Sequence, residues 1–482
     1  MGAGVLLLVT RHGAYLSPDG LSYVGTARNL VDGAGYTPPP GSPPIGNFPP
    51  LYPLLLAAIG RTGVDPLTAA RYVGPAAFGL TILAVGFLVR RLTGSAPLAL
   101  VAQLLVLGSV DFLVYHSSAL SEPLFLLLAL LGLIAVARDS RTAVAGAALL
   151  AAAATLTRYV GAAVIVAGLV ALALRRRWTA AAAYGLLAGA PVASWLAWVR
   201  SSQGRATNRE AVWHAPGAEY VAQGARNAST WILPQEVGWP LRGALAAAVV
   251  VLVAFVAWRK RGARAGDRRP AVATGLFAVV YLALLVVDRF VFDVTGRLDF
   301  RFLLPLHLAA VALGLWLLRG VDVRRSHLAR LGVCAVAGVQ LVSGGLWVRD
   351  ALGDRAVRPG GFTAPAWLAS EVVDQVRALP ANRPVYSNAV DALYFHTGRV
   401  AHPVPETRAL LTGAPNPGYD AQLAAMDDGM RSGGLLAYFT AAPARRVFLP
   451  TAGELAGQLR LDPLVRDAVG VAYRRAEQAP PR

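Results

Sequence analysis

The sequence predicts a polytopic α-helical membrane protein followed by a small α/β region, and three observations carry that reading. Of the 482 residues, 55% are apolar and only 15% charged. Several apolar windows approach the roughly 20 residues that a bilayer crossing needs. Short loops rich in arginine separate them at intervals, the pattern by which membrane chains set their orientation.

The first apolar stretch, Gly2 to Leu16, spans only about 22 Å as a helix and carries Arg11 and His12. It lacks the basic n-region and the small-residue cleavage site of a signal peptide. It reads as a shortened first transmembrane helix, with the natural start expected upstream of Met1. Further spans are expected near 66–89, 96–114, 120–137, 142–157, 159–174, 179–199, 241–258, 271–288, 302–318 and 331–348. One alternation places Arg90–Arg91, Arg138 with Arg141, Arg175–Arg177, WRKRGARAGDRR and Arg324–Arg325 together on the cytoplasmic side. About eleven spans satisfy it. Loop 17–65, segment 115–119, the turn at Arg158, segments 200–240 and 288–301, and everything beyond Val348 then share the opposite face.

The formal charge of +18 does not indicate nucleic-acid binding. The surplus sits in the orienting loops, is nearly all arginine, and matches the alanine-rich composition of a G+C-rich genome. The single cysteine, Cys334, excludes an internal disulfide and lies in an apolar segment, where helix packing is expected.

The chain divides into a transmembrane module, 1–349, and a tail, 350–482, rich in proline and glycine. In the tail, Pro384–Ser387 reads as a strand, with a helix from Val390. RRVFLP reads as a second strand, TAGELAGQL as a helix and GVAYRR as a last strand.

Loop 17–65 is the most informative segment. Asp19 lies at a membrane surface, where a carboxylate is unusual without a task. Two readings stand side by side: a general base that takes a proton from an acceptor hydroxyl, and the N-cap of the amphipathic helix LSYVGTARNLV. That helix would lie in the interface plane, with Arg28 near the headgroups. In HSSALSEPLFLLL, Glu122 and Pro123 suit the first turn of a helix, with Ser118 or Ser121 as cap. Asp111, His116 and Glu122 are weak candidates for a divalent cation, since their spacing follows no recognised pattern. Arg158, and Arg297 with Arg301, stand on the face where positive charge is disfavoured. That raises the case for an anionic partner, against snorkelling or pairing with Asp293 and Asp299. Ser387, Asn388 and Asp391 open a helix after a strand, a position that binds ligands or, more often, caps. No P-loop, HExxH or nucleophile elbow is present, so ATP-driven transport and serine hydrolysis have no support.

SPDGLSYVGTARNLVDGAGY, FPPLYPLLLA, SEPLFLLL, LTRYVG, RFLLPL and VYSNAVDALYFHTGR follow one another through most of the chain. In this series the sequence resembles the GT-C superfamily of membrane glycosyltransferases, in the branch of protein O-mannosyltransferases and aminoarabinose transferases. The resemblance implies a GT-C-like helical fold and inverting transfer from a polyprenyl-phosphate-linked sugar. The acceptor would be a cell-envelope glycan, a glycolipid or a protein on the outer face of the inner membrane. It implies Asp19 as base, with Glu122, Arg158, Arg297 and Arg301 around the donor phosphate. Tyr23, Tyr52 and His116 are the accompanying loop residues, and the tail helps to shape the acceptor site. Many relatives have two adjacent acids in the first loop, whereas Gly20 follows Asp19 here. A flippase for lipid-linked glycans and a non-catalytic membrane scaffold stay as alternatives. Charges gathered at helix ends, not at mid-membrane, favour the enzyme.

Overall fold

The computed structural model describes residues 1–204, 211–213, 215, 217–259, 267–292, 298–320, 327–353, 361–409, 413–442 and 448–475. The fold is mostly helical. Helices α1 (Gly2–Val9), α2 (Pro18–Val31) and α3 (Leu51–Gly60) precede the long α4 (Pro66–Thr93). Then come α5 (Ala96–Gly108), α6 (Val110–His116), α7 (Glu122–Val136), α8 (Arg141–Thr157), α9 (Ala162–Leu174) and α10 (Trp178–Gln203). The helical part closes with α11 (Ala218–Ala228), α12 (Trp239–Arg259), α13 (Arg268–Val291), α14 (Phe300–Leu317) and α15 (His327–Leu352).

Local chemistry fixes many of these ends. Asp65 accepts from the amides of Leu67 and Thr68, Pro66 occupies the first helical position, and Gly94 closes α4 in the left-handed region at φ 71°. Ser95 and Ser140 cap α5 and α8 in the same way. Among the described residues four helices, α4, α10, α13 and α14, are long and apolar enough to cross a membrane, and the α5–α6 pair, bent by 61°, makes a fifth if counted as one span. Each expected span after the first contains a helix, but α7, α8 and α9 are shorter apolar helices of 10–17 residues. The chain is a polytopic membrane protein of this helical type.

The first stretch departs from expectation. Only Gly2–Val9 is helical; Tyr15 and Leu16 are extended and bridge to Ser118 and Gly361. Cys334 is exposed on α15 and packs no core.

Among the described residues, members of four basic loops meet at one end of the bundle, while Arg324 and Arg325 lie outside the described residues. Arg91 pairs with Asp267 at 2.9 Å, while Asp139 takes Arg175, Arg269 and, at 3.5 Å, Arg177. Since α7 runs toward this end and α8 runs back, the start of α7 and the end of α8 meet at the other.

The tail builds a five-stranded sheet from β1 (Val385–Ser387), β2 (His402–Pro403), β3 (Leu435–Phe439), β4 (Leu461–Arg466) and β5 (Gly470–Arg475), in the order β2-β1-β3-β5-β4. β1 is parallel to β2 and β3, and β5 is antiparallel to β3 and β4. Its helices are α16 (Pro365–Leu368), α17 (Glu371–Ala378), α18 (Val390–Thr397), α19 (Tyr419–Arg431) and α20 (Ala452–Leu459). Of the strand read in RRVFLP, Phe448–Pro450 lie outside any strand, and residues 445–447 fall outside the described residues. The central strand is LLAYF instead, buried at all five positions. Ser387, Asn388 and Asp391 serve structure. Ser387 accepts from the amide of Ala389, and Asn388 bonds both the amide and the carbonyl of Phe439 at 2.7 and 3.0 Å. Asp391 accepts from the amide of Ala392.

The tail's core is continuous with the first loop. Leu21, Val24, Tyr52 and Leu56 pack in one buried cluster with Phe362, Trp367, Val385, Leu435 and Phe439. Arg28 has protein partners here: it pairs with Asp65 at 2.9 Å and lies over the Phe395 ring at 5.0 Å.

Candidate active site

The site begins with how the root of α2 is held. Residues 14–16 are stitched between two remote segments. The Ala119 amide donates to the Tyr15 carbonyl at 2.9 Å, the Phe362 amide to the Leu16 carbonyl at 2.9 Å, and the Thr363 hydroxyl to the Ala14 carbonyl at 3.0 Å. Gly361, at φ 68°, lies so close that a Cβ there would come within 2.1 Å of the Leu16 carbonyl oxygen, so glycine is required. Ser17, not Asp19, caps α2, accepting from the Gly20 amide at 3.1 Å, with Pro18 at the first helical position. The N-cap reading of Asp19 is therefore overturned. Relieved of that duty, its carboxylate reaches out of the first turn.

There it meets Arg301. Asp19 Oδ2 accepts from Arg301 Nη1 at 2.5 Å, across 282 residues of sequence. Arg301 Nε donates to Glu122 Oε1, and the same oxygen takes Arg158 Nη1. Glu122 is 3% exposed at its side chain, Arg158 14%, Arg301 18% and Asp19 30%. Two carboxylates and two guanidiniums thus form one largely buried network of zero net charge. Glu122 Oε2 is buried with no hydrogen-bond partner among the described residues.

Each member stands where its helix has reason to hold it. Asp19 and Glu122 occupy the first turns of α2 and α7, beside the positive end of the macrodipole. Arg301 sits in the first turn of α14, where the dipole opposes a cation, so the two acids are what hold it. Arg158 terminates α8 in extended backbone, φ −150° and ψ 129°, turning its side chain back across the helix ends. Three helix N-termini therefore converge on the network, an arrangement suited to an anion once Asp19 is displaced.

Sequence reasoning missed one member, Ser121, and one neighbour, Tyr159. Ser121 was read as a helix cap, yet its hydroxyl caps nothing: it lies 3.3 Å from Arg158 Nη1 and 3.2 Å from the Tyr23 hydroxyl. Tyr159 donates to the Gly46 carbonyl at 2.9 Å and accepts from Trp195 Nε1 at 3.0 Å, which ties the proline-rich exit of the first loop to α10. Its place beside Arg158 in LTRYVG was the only signal.

Tyr23 is one turn from Asp19 on the same face of α2 and fully buried. Burial first, then the Asp19 and Glu122 charges, raise its pKa, so the phenol stays protonated and can donate. Tyr52 packs edge-on against it at 5.2 Å and sets the ring's position. His116 is a core residue: its Nδ1 meets the Phe112 carbonyl at 2.7 Å, and the ring lies 4.9 Å from Phe78. Asp111 stands in the first turn of α6. Among the described residues no three His, Cys, Asp or Glu side chains are grouped to hold a metal, so the cation set of Asp111, His116 and Glu122 is not assembled. Arg297 lies outside the described residues.

The missing second acid has a steric cause. A Cβ on Gly20 would come 2.8 Å from the Ala119 carbonyl oxygen and 3.0 Å from Leu16 Cδ1. That carbonyl belongs to backbone pinned against Tyr15, so it cannot withdraw freely. Gly20→Ala is expected to cost about 2 kcal/mol and to lower the melting temperature in detergent; a melting curve unchanged from the parent would refute the tight packing.

No protein-family model and no curated protein matches the chain. Among solved structures, ArnT from Cupriavidus metallidurans bound to undecaprenyl phosphate superposes with a TM-score of 0.62 at 14% identity, over 99% of this chain and 97% of that one. The apo state of the same protein gives 0.60 at 16% identity over the same shares. The chain thus has, along nearly its whole length, the fold of ArnT, an aminoarabinose transferase among the GT-C glycosyltransferases, in agreement with the resemblance read from the sequence.

Proposed function

We propose that this protein is an inverting glycosyltransferase that moves a sugar from a polyprenyl-phosphate carrier to an acceptor in the cell envelope. The observation that carries the reading is the buried Asp19–Arg301–Glu122–Arg158 network at the root of the first loop, in a chain with the ArnT fold. The neighbour with undecaprenyl phosphate bound favours a carrier of that kind. The same reading takes the acceptor to be an envelope glycan, a glycolipid or a protein.

In this mechanism the donor phosphate takes the Arg301 guanidinium from Asp19, with Arg158 as its second cationic contact. Asp19, released, accepts the proton of the acceptor hydroxyl. That oxygen attacks the anomeric carbon from the face opposite the phosphate. The bond between the anomeric carbon and the phosphate oxygen breaks, and the electron pair leaves with the polyprenyl phosphate. The two guanidiniums and the three helix N-termini stabilise the growing charge. Glu122 touches no reactant: it positions both arginines. The Tyr23 hydroxyl, through Ser121, holds Arg158 from the other side.

The reading includes about eleven spans with the basic ends cytoplasmic. The site and the tail, 350–482, face outward from the inner membrane, and the tail helps to shape the acceptor cleft. A reporter fused after Arg482 and active in the cytoplasm would remove this placement.

The test is a transfer assay with purified protein, a panel of labelled polyprenyl-phosphate sugars and envelope extracts. One donor is expected to give labelled product with inverted anomeric configuration. Asp19→Asn is expected to lower the rate by about 10²–10⁴-fold, the usual worth of a general base. Undiminished transfer by that variant excludes Asp19 as the base, and lipid movement across vesicles without transfer points to a flippase.

A further inference from the structure

The tail carries a cleft lined by arginines, and it shares no residue with the network above. A cleft of about 610 Å³ opens beside the edge of the sheet, between the end of α17 and strands β1 and β2. Arg377, Arg383, Arg399, His402 and Asn382 line it, together with apolar Leu379, Pro384 and Val400. Among the described residues no carboxylate lines it.

Its three guanidiniums have different duties. Arg399 donates to the carbonyls of Val376, Leu379, Pro380 and Arg383 at 2.5–3.2 Å. It thereby caps the end of α17 and fixes the loop that bears Asn382 and Arg383, while its charge meets only carbonyl oxygens. Arg383 donates through Nη1 to the Ser432 carbonyl, and its guanidinium lies against Gly433, where a Cβ would come 2.8 Å from Nη1. One donor is thus spent on holding the group still, and the rest are left for the cleft. Arg377 pairs with Asp374 at 2.6 Å and donates to the His396 carbonyl at 3.0 Å. Three cations against one paired acid leave a positive surplus. The partial negative charge at the end of α17, about half a unit, offsets only part of it.

We propose that this cleft binds a phosphorylated saccharide of one or two units. The volume falls in the range of small-molecule sites, about 300–1,000 Å³. Planar guanidiniums fixed in place match the tetrahedral oxygens of a phosphate. Asn382 and His402 supply hydrogen bonds of the kind that sugar hydroxyls accept and donate. Leu379, Pro384 and Val400 offer an apolar wall to the C–H face of a sugar ring. The cleft has no lining residue in common with the Asp19 network, and the proposal does not depend on the transferase reading.

The experiment uses full-length protein in phosphatidylcholine nanodiscs, with glucose 1-phosphate, inorganic phosphate and maltose as probes. Modification of Arg377 and Arg383 by phenylglyoxal, followed by peptide mass spectrometry, reports occupancy. Glucose 1-phosphate is expected to slow both modifications, inorganic phosphate to do so at higher concentration, and maltose to have no effect. Binding by calorimetry is expected to weaken about tenfold in Arg377→Gln and in Arg383→Gln. Arg383→Lys, which keeps the charge but not the fork, is expected to fall between. In Asp19→Asn the protection of Arg377 and Arg383 by glucose 1-phosphate is expected to match the parent, so loss of the transferase reading leaves this result standing. Nanodiscs containing phosphatidylglycerol separate the two sources of phosphate: protection there without added sugar phosphate assigns the cleft to lipid headgroups and overturns the proposal. Equal modification with and without glucose 1-phosphate, or unchanged affinity in a correctly melting Arg377→Gln protein, overturns it as well.

Discussion

Glu122→Gln is expected to disable the protein more thoroughly than its near-isosteric shape suggests. One oxygen of this carboxylate receives both Arg158 and Arg301, at a position only 3% exposed. The amide removes one of the two negative charges in a four-group network, and Asp19, 30% exposed, is left to balance two cations alone. Breaking a buried ion pair by removing one partner costs about 3–5 kcal/mol, because the remaining charge stays buried without compensation. With the arginines 14% and 18% exposed, some water reaches them, and the lower end of that range, about 3 kcal/mol, is the expectation. The amide adds a second fault, since its NH₂ group can turn donors toward donors. A fall of about 5 °C in melting temperature should accompany transfer lowered by at least about 100-fold. Glu122→Asp keeps the charge but withdraws it by one methylene, and is expected to recover stability before activity. A Glu122→Gln protein that melts and transfers like the parent would deny Glu122 its place as the hub.

The residues of this network were legible in the sequence; their mutual contacts were not. Arg158 and Arg301 announced themselves by standing against the positive-inside trend, and Asp19 by lying at a membrane edge. Those are statements about single positions in a topology. The pairing of Asp19 with Arg301 closes 282 residues of chain, and no local pattern encodes such a contact. For Ser121 a frequent local role, the helix cap, hid a rarer one. In the tail, β3 was missed because LLAYF is buried on both faces. It shows no alternation, and a short apolar run of that kind fits strand or helix equally. The helix α20 was legible for the opposite reason: Thr451 and Glu454 form a capping box, a signal complete within four residues. The core shared by the first loop and the sheet was also beyond reach. Amphipathic patterns say which face of α2 is buried, but not that Phe362, Trp367 and Phe439 cover it.

The second large effect concerns binding, and it goes in opposite directions for the two partners of one ion pair. If Asp19 and the donor phosphate compete for Arg301, then Asp19→Asn frees the guanidinium before any ligand arrives. Such a variant is expected to bind polyprenyl phosphate about tenfold more tightly than the parent, although it transfers sugar about 10²–10⁴-fold more slowly. Hydrogen bonds to charged groups are worth about 1.5–3 kcal/mol, so Arg301→Gln should weaken the same binding by about 10–150-fold. The double variant Asp19→Asn, Arg301→Gln should match Arg301→Gln alone, because the advantage of removing Asp19 exists only while Arg301 is there to be freed. Titration of detergent-solubilised protein with polyprenyl phosphate measures all four affinities. An Asp19→Asn protein with the parent's affinity would mean that phosphate does not take Arg301 from the carboxylate. The cycle therefore separates two jobs that an activity assay merges. Loss of transfer alone cannot tell a base from a counter-ion, whereas tighter ligand binding in a slowed variant requires that Asp19 and the phosphate want the same guanidinium.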